Sequence, residues 1–148
     1  MDVLSGIPQG SILGPWLFIM FINDLVSNCI NGSDLYLYAD DAKLFRHILD
    51  ESDVAFLQND LTNLQSWLDK WLLKLNINKC KVVSYGRRIE FISDYCLKSD
   101  NTLHSLEYLD SIKDLGVLFD SKLKFDQHII EKVNKAYSVL GLIHRPFR

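Results

Sequence analysis

The sequence of 148 residues lacks most of the features that mark specialised protein classes. It has only three cysteines, Cys29, Cys80 and Cys96, which are widely spaced and form no C-x-x-C pair. Such a set favours neither a zinc site nor a disulfide framework and fits a reducing, intracellular compartment. The longest apolar run, residues 12–22, is interrupted by a Gly-Pro pair and is about half of the roughly 20 residues that a membrane span needs. We therefore expect no membrane partner.

A basic excess is also absent. Lysine and arginine number 16 against 19 aspartates and glutamates, for a formal net charge of −3, so net charge does not indicate a nucleic-acid partner. The charges are unevenly divided, because residues 1–74 hold 4 basic and 10 acidic side chains (net −6) and residues 75–148 hold 12 and 9 (net +3). The apolar content of 48% is typical of one globular domain. The acidic first half needs a chemical explanation.

Hydrophobic periodicity predicts helices and short strands in mixed order. Helices are expected over residues 15–26, 52–75 and 126–144. The first is apolar nearly all round and therefore resembles a core helix, whereas Ser52 and Asp53 can cap the second. Strands are expected over residues 35–38, 42–45, 81–85, 91–92, 95–97, 105–109 and 115–119. This order favours an α+β fold with an antiparallel sheet and packed helices.

The most distinctive chemical feature is the doublet Asp40 and Asp41, in the short connection between two strand-like runs. Apolar residues flank it on both sides, where adjacent carboxylates are costly unless cations compensate them. Carboxylate oxygens in a tight turn suit Mg²⁺ or Mn²⁺, as in two-metal phosphoryl transfer. The alternative is an ordinary solvated turn, which aspartate also favours.

Several motifs in a fixed order give the doublet a context. They are residues 7–15 (IPQGSILGP), 21–25 (FINDL), 38–41 (YADD), 75–80 (LNINKC) and 113–120 (KDLGVLFD). Together they closely resemble the central motifs of reverse transcriptases, particularly those of non-LTR retrotransposons of animals. The resemblance extends over essentially the whole chain and implies an RNA-directed DNA polymerase, a nucleotidyltransferase.

The resemblance implies roles for single residues. Asp40 is similar to the metal-binding aspartate of the catalytic hairpin, and Asp41 to the second carboxylate, so that both would hold Mg²⁺ or Mn²⁺. Tyr38 and Ala39 would shape the turn near the primer end. Lys79 resembles the lysine near the triphosphate, where a cation can neutralise or protonate the departing pyrophosphate. The alternative for Lys79 is a solvated lysine after a helix.

Two further loops resemble substrate-binding segments of the family. Pro8, Gln9 and Gly10 resemble the loop that packs against the RNA template and the incoming deoxynucleoside triphosphate. Leu115 and Gly116 resemble part of the hairpin that contacts the DNA primer. Without the family context these segments would be interpreted as a plain loop and, for Gly116, a strand bulge.

The family pattern also implies a domain organisation. Residues 1–120 resemble part of a polymerase palm with an antiparallel sheet, and residues 121–148 the start of the thumb. Polymerases of this kind carry another catalytic aspartate on a strand before the Pro-Gln-Gly loop, and only five residues precede Gly6. We therefore expect a truncated fragment with little polymerase activity alone, and self-association through an exposed palm edge and apolar helix surface. The alternative is an inactive retroelement relic that is at most a nucleic-acid-binding or structural fragment.

Overall fold

The computed structural model describes residues 10, 12–87, 93–99 and 102–144, which form two compact units. Unit 1 contains the described residues up to Ile77 together with Tyr95–Ser105. Unit 2 contains those from Asn78 to Asp94 and those from Leu106 onward. The division at residue 120 follows family motifs and stays a prediction. None of the described helices combines the length and the apolar character that a membrane span requires.

Helix α1 spans Leu13–Ile22 and continues into a 3-10 helix over Asn23–Asn28. It therefore ends before the predicted limit near residue 26. In the 3-10 segment the side chain of Asn28 donates to the backbone carbonyls of Asp24 and Leu25, at 3.1 and 3.3 Å. Local side-chain bonds of this kind compete with α-helical geometry.

The prediction that α1 is a core helix is wrong for the described part of the chain. Trp16, Ile19 and Met20 are 67%, 61% and 60% exposed. Only the C-terminal part of the helix packs against the core, through Phe21 and Ile22. A helix that is apolar all round needs cover on every side, and the described residues cover one side.

Strands β1, Asp34–Tyr38, and β2, Asp41–Phe45, form the antiparallel hairpin that the sequence predicts. Side chains alternate between the two faces of such a ribbon. The inner face carries Leu35, Leu37 and Leu44, which pack against the core of unit 1. That core cluster consists of Leu25, Leu64 and Trp67. The hairpin therefore turns its other face to solvent.

Helix α2 spans Glu51–Lys70 and is capped by Asp50, not by Ser52 and Asp53 as predicted. The Asp50 carboxylate accepts hydrogen bonds from the backbone N–H groups of those two residues, at 2.8 and 3.1 Å. It thus satisfies two of the free donors of the first turn. The helix ends well before the predicted residue 75, and Leu72 beyond it has a left-handed φ of 57°, which an α-helix cannot contain.

Strand β4, Cys96–Ser99, is bound along one edge by two glutamines of α2. Gln58 donates to the carbonyl and accepts from the N–H of Cys96, each at 2.9 Å. Gln65 makes the same pair of hydrogen bonds with Lys98. The two amide side chains satisfy backbone groups that a third strand would otherwise bind.

The described strands form four separate two-stranded pairs, not the single antiparallel sheet that the sequence suggested. In unit 1, β4 pairs antiparallel with β5, Thr102–Ser105. In unit 2, β3, Lys81–Val82, pairs in parallel with β6, Glu107–Tyr108. The antiparallel hairpin of this unit joins β7, Ser111–Asp114, to β8, Val117–Asp120. The fold is α+β, as expected.

Strand boundaries were predicted less well than strand positions. The strand expected over residues 81–85 is two residues long, and the candidate at residues 91–92 lies outside the described residues. The sequence did not single out β5 or β7 as strands, because their mixed polar and apolar residues show no apolar run. The strand expected from residue 115 begins at Val117, since residues 115 and 116 form a turn.

Helix α3 spans Asp126–His144, as predicted. Its first turns contact the β7–β8 hairpin. The N–H of Leu118 donates to Nδ1 of His128 at 3.1 Å, and Nζ of Lys113 forms an ion pair with Glu131 at 2.8 Å. From residue 129 to residue 143 every side chain is exposed.

The loop between β8 and α3 is organised by one carboxylate. Asp120 accepts hydrogen bonds from the backbone N–H groups of Lys122 and Lys124, both at 3.1 Å, and of Phe125, at 2.6 Å. Donors of this kind stabilise the charged form of a carboxyl group. The bonds from Lys124 and Phe125 accordingly hold the pKa of Asp120 below its ordinary value of 3.8.

We predict that acid removes the contribution of Asp120 to stability. Because its pKa is lower in the folded chain, the contribution is present above the unfolded value of 3.8 and is lost as pH falls through the lower folded value. Asp120→Asn should therefore lower the urea-unfolding free energy at about pH 6, and this difference should shrink as pH falls through the lowered pKa of Asp120. Asp110→Asn, at an exposed position of the same unit, is the control. A pH-independent effect of Asp120→Asn would contradict this explanation.

Candidate metal and nucleotide site

The aspartate doublet lies at the tip of the β1–β2 hairpin. Ala39 and Asp40 are the two turn residues, and Asp41 is the first residue of β2, directly opposite Tyr38. Ala39 has a φ of 53°, whereas Asp40 does not have a positive φ. This is the sign pattern of a type II′ turn, which favours glycine at the first position. Alanine there is strained because its Cβ crowds the backbone.

Both carboxylates of the doublet are free to bind a ligand. Asp40 and Asp41 are exposed, and neither forms a hydrogen bond or ion pair through its side chain with another described residue. Two adjacent negative charges favour a cation, and their oxygen atoms are the ligands that Mg²⁺ and Mn²⁺ prefer. Within the described ranges, no three His, Cys, Asp or Glu side chains form a group that could hold a metal. The doublet by itself therefore supplies fewer oxygen ligands than either ion takes.

The outer face of the hairpin adds aromatic rings beside the doublet. Tyr38 shares this face with Asp41, because directly paired residues project to the same side. Tyr36 and Phe45 continue the face, with ring centroids 5.0 Å apart and planes 16° apart. Tyr36 and Tyr38 are 62% and 60% exposed. Exposed rings of this kind offer a surface on which nucleic-acid bases can stack.

The loop before β1 is bound by a buried carboxylate of α2. Asp60 is 0% exposed. It accepts hydrogen bonds from the backbone and side-chain nitrogens of Asn31, at 3.1 and 2.9 Å, and from the N–H of Ser33, at 3.3 Å. Burial alone would raise the pKa of Asp60, but the hydrogen bonds from Ser33 and Asn31 outweigh it and hold the pKa below 3.8. The buried carboxylate is therefore charged.

Arg46, which directly follows β2, binds at the same base of the hairpin. Its Nε and Nη2 atoms each lie 2.8 Å from Oδ1 of Asp53 in α2. Its Nη1 atom donates to the carbonyl of Asn31, and the guanidinium carbon lies 5.0 Å from the ring centroid of Phe56. Arg46 therefore connects both sides of the hairpin base to α2.

Sequence reasoning missed these anchoring residues. A charged residue on a helix is normally solvated, so Asp60 and Arg46 were not candidates. One signal was available, because Asp60 lies between Leu57 and Leu64 at helical spacing and therefore falls on the apolar stripe of α2.

The Pro-Gln-Gly loop is described only at its last residue. Pro8 and Gln9 lie outside the described residues. Gly10 is exposed and has a φ of 81°, and no atom lies within 4 Å of the position that a Cβ would occupy. The backbone conformation therefore favours glycine at this position.

The other predicted site residues belong to unit 2. Lys79 is exposed and ends a short 3-10 helix, Ile77–Lys79. Leu115 and Gly116 are the turn residues of the β7–β8 hairpin, with φ values of 45° and 84°, as in a type I′ turn. Gly116 is thus a turn residue and not a bulge. The side chain of Leu115 is 62% exposed. Nζ of Lys132 donates to the carbonyl of Gly116 at 3.2 Å.

We predict that Ala39→Gly stabilises the chain by about 1 kcal/mol, because glycine removes the strain of a positive φ. Ala42→Gly is the matched control. It lies within β2, where φ is not positive, and should destabilise the chain by about 0.5–1 kcal/mol. Urea unfolding of both variants measures the difference. Destabilisation of similar size in both would show that the turn at Ala39 is unstrained.

Comparison with known proteins identifies the family. A family model for reverse transcriptase (RNA-dependent DNA polymerase) matches residues 3–142. The chain is 30% identical, over 136 residues, to the RNA-directed DNA polymerase from mobile element jockey of Drosophila melanogaster, covering 86% of this chain and 14% of that protein. For the jockey polymerase of Drosophila funebris the identity is 32% over 134 residues, covering 84% and 14%. For the probable RNA-directed DNA polymerase from transposon BS of Drosophila melanogaster it is 30% over 140 residues, covering 90% and 15%.

The chain therefore spans only 14–15% of the length of these relatives. No solved structure matches it significantly. Since the family model covers nearly the whole chain, and the relatives are polymerases of non-LTR retrotransposons, this chain belongs to the reverse transcriptase family of RNA-directed DNA polymerases.

Proposed function

We propose that this chain is a catalytic segment of a non-LTR retrotransposon polymerase, which copies an RNA template into DNA. The observation that carries the proposal is the exposed, unpaired doublet of Asp40 and Asp41 at the hairpin tip. The relatives of this chain are named as RNA-directed DNA polymerases from mobile elements. An RNA template, a DNA primer and deoxynucleoside triphosphates are the partners of the complete polymerase.

The doublet is proposed to hold Mg²⁺ or Mn²⁺. A bound divalent ion would stabilise the negative charge that develops during phosphoryl transfer. Asp40 and Asp41 would bind it through their carboxylates, with which no other described side chain competes. Tyr38 and Ala39 hold the doublet at the tip, and the small side chain of Ala39 leaves space for the end of a primer.

Residues outside the hairpin are assigned to substrate binding. Pro8, Gln9 and Gly10 would contact the template and the incoming nucleotide. At Gly10 the positive φ favours a residue without a side chain. Lys79 is exposed, and its ammonium group would neutralise or protonate the leaving pyrophosphate.

The β7–β8 hairpin is proposed to contact the primer. In the turn at Leu115 and Gly116, the leucine side chain is exposed and its backbone is strained. Packing against other described residues therefore does not account for a leucine at this position. In this assignment residues 1–120 belong to the palm, and α3 within residues 121–148 begins the thumb. The exposed apolar surface of α1 would favour self-association of the isolated chain.

We predict that Mn²⁺ binds at the hairpin tip. In a titration followed by amide NMR signals, paramagnetic broadening should begin at residues 38–42. Asp40→Asn and Asp41→Asn should each weaken binding by about tenfold or more, because each removes a charged oxygen ligand. Asp69→Asn, at an exposed position of α2 in the same unit and outside the family motifs, should leave the affinity unchanged. Broadening centred elsewhere, or insensitive to both variants, would contradict the metal assignment.

Catalysis is tested in a full-length polymerase that contains this segment. RNA-templated primer extension should fall by about a thousandfold in Asp40→Asn and Asp41→Asn, since loss of the metal site removes several kcal/mol of transition-state stabilisation. Asp69→Asn, which lies outside the family motifs, should retain the parent rate. Extension at the parent rate by Asp40→Asn would refute the catalytic role. Salt-dependent binding of an RNA–DNA hybrid without extension would favour the relic alternative.

A further inference from the structure

The β1–β2 hairpin is bound at its base by polar contacts that the proposed chemistry does not use. Directly before β1, the N–H groups of Asn31 and Ser33 bind Asp60 of α2. Directly after β2, Arg46 binds Asp53 of α2 and also the carbonyl of Asn31. These five residues form one connected group, which we name the hairpin clamp.

The hairpin clamp is largely shielded from water. Asp60 is 0% exposed, and the side chains of Arg46 and Asp53 are 15% and 14% exposed. The loop fits closely against the guanidinium, because a Cβ on Gly32 would lie 3.3 Å from Nη1 of Arg46. Charged hydrogen bonds in such surroundings are strong and directional. Removing one partner leaves the others buried without a counterpart.

The hairpin needs such a directional constraint. Its two strands form a sheet of their own, and an isolated pair of strands is marginally stable. The leucines of the inner face hold it on the core, but hydrophobic contacts are not directional. Five strand residues, each with a rise of about 3.3 Å, place the tip about 17 Å from the base. At that distance a tilt of the hairpin by about 5° moves the tip by about 1.5 Å. Misplacement by about 1 Å can lower a catalytic rate by about a hundredfold.

We propose that the hairpin clamp is a positioning device, in which Asp60 and Arg46 fix the direction of the hairpin and so place Asp40 and Asp41 for metal binding. The proposal rests on the metal-binding role proposed for the doublet. Asp60 and Arg46 are positioning residues, since they act through the hairpin and contact no reacting group.

The test uses the whole chain and two measurements, amide hydrogen exchange at Tyr38 and Asp41 and the affinity for Mn²⁺. Asp60→Asn keeps the side-chain volume and one acceptor oxygen but removes the charge. We expect exchange at the tip to be about tenfold faster or more and Mn²⁺ binding about fivefold weaker or more. Arg46→Gln, at the less buried side of the hairpin clamp, should have the same two effects. If Asp60→Asn does not fold, Arg46→Gln is the variant that tests the proposal.

A matched control separates positioning from general stability. Leu97 lies in β4, is 2% exposed and does not belong to the cluster under the hairpin. The Tm values of Leu97→Val and Leu97→Ala are measured first. The variant whose Tm equals that of Asp60→Asn then serves as its control. Equal exchange rates and equal Mn²⁺ affinities in this pair would overturn the proposal, as would faster exchange with unchanged Mn²⁺ affinity. If the parent chain binds no Mn²⁺ at the tip, the metal assignment fails, and the exchange comparison alone decides whether the clamp orders the tip.

Discussion

The buried carboxylate of Asp60 joins α2 to the loop before the β1–β2 hairpin, and the rest of unit 1 is arranged around this junction. A charge removed from water is tolerated only where donors surround it, so the helix and the loop must meet in one arrangement. Leu64 and Trp67, further along the same helix, then form the core on which the hairpin packs. Gln58 and Gln65 bind the edge of β4. One helix therefore positions both strand pairs of unit 1.

Five described non-glycine residues have a positive φ, and two of them lie in turns that the family motifs also mark. These are Ala39 and Leu115, one in each unit, whereas Leu72 is also an exposed turn residue with positive φ but lies outside the motifs. Strain of this kind persists only where surrounding structure or function maintains it. The family resemblance marks the same positions from sequence motifs alone. Strain alone therefore does not mark a substrate-binding turn, and neither observation identifies the residues that hold the turns in place.

Local signals predicted part of the fold well. The hairpin was predictable because short apolar runs flank a turn-forming doublet, and α3 because its apolar residues keep one helical stripe over the whole element. The cap of α2 was not, since Asp50, Ser52 and Asp53 can all cap a helix, and the extended backbone of Asp50 selects it. Periodicity by itself assigns α1 to the core, and only the family resemblance predicts the exposed apolar surface that this helix has.

The sequence by itself determined the family and the aspartate doublet, because contiguous motifs such as YADD carry both the turn and the chemistry within a few residues. Only the tertiary structure decided how the strands outside the β1–β2 hairpin pair and how this hairpin is anchored. Asp60 and Asn31 are 29 positions apart, and Gln65 and Lys98 are 33 positions apart. Contacts over such distances depend on how helices and loops pack, which no local pattern of residues specifies.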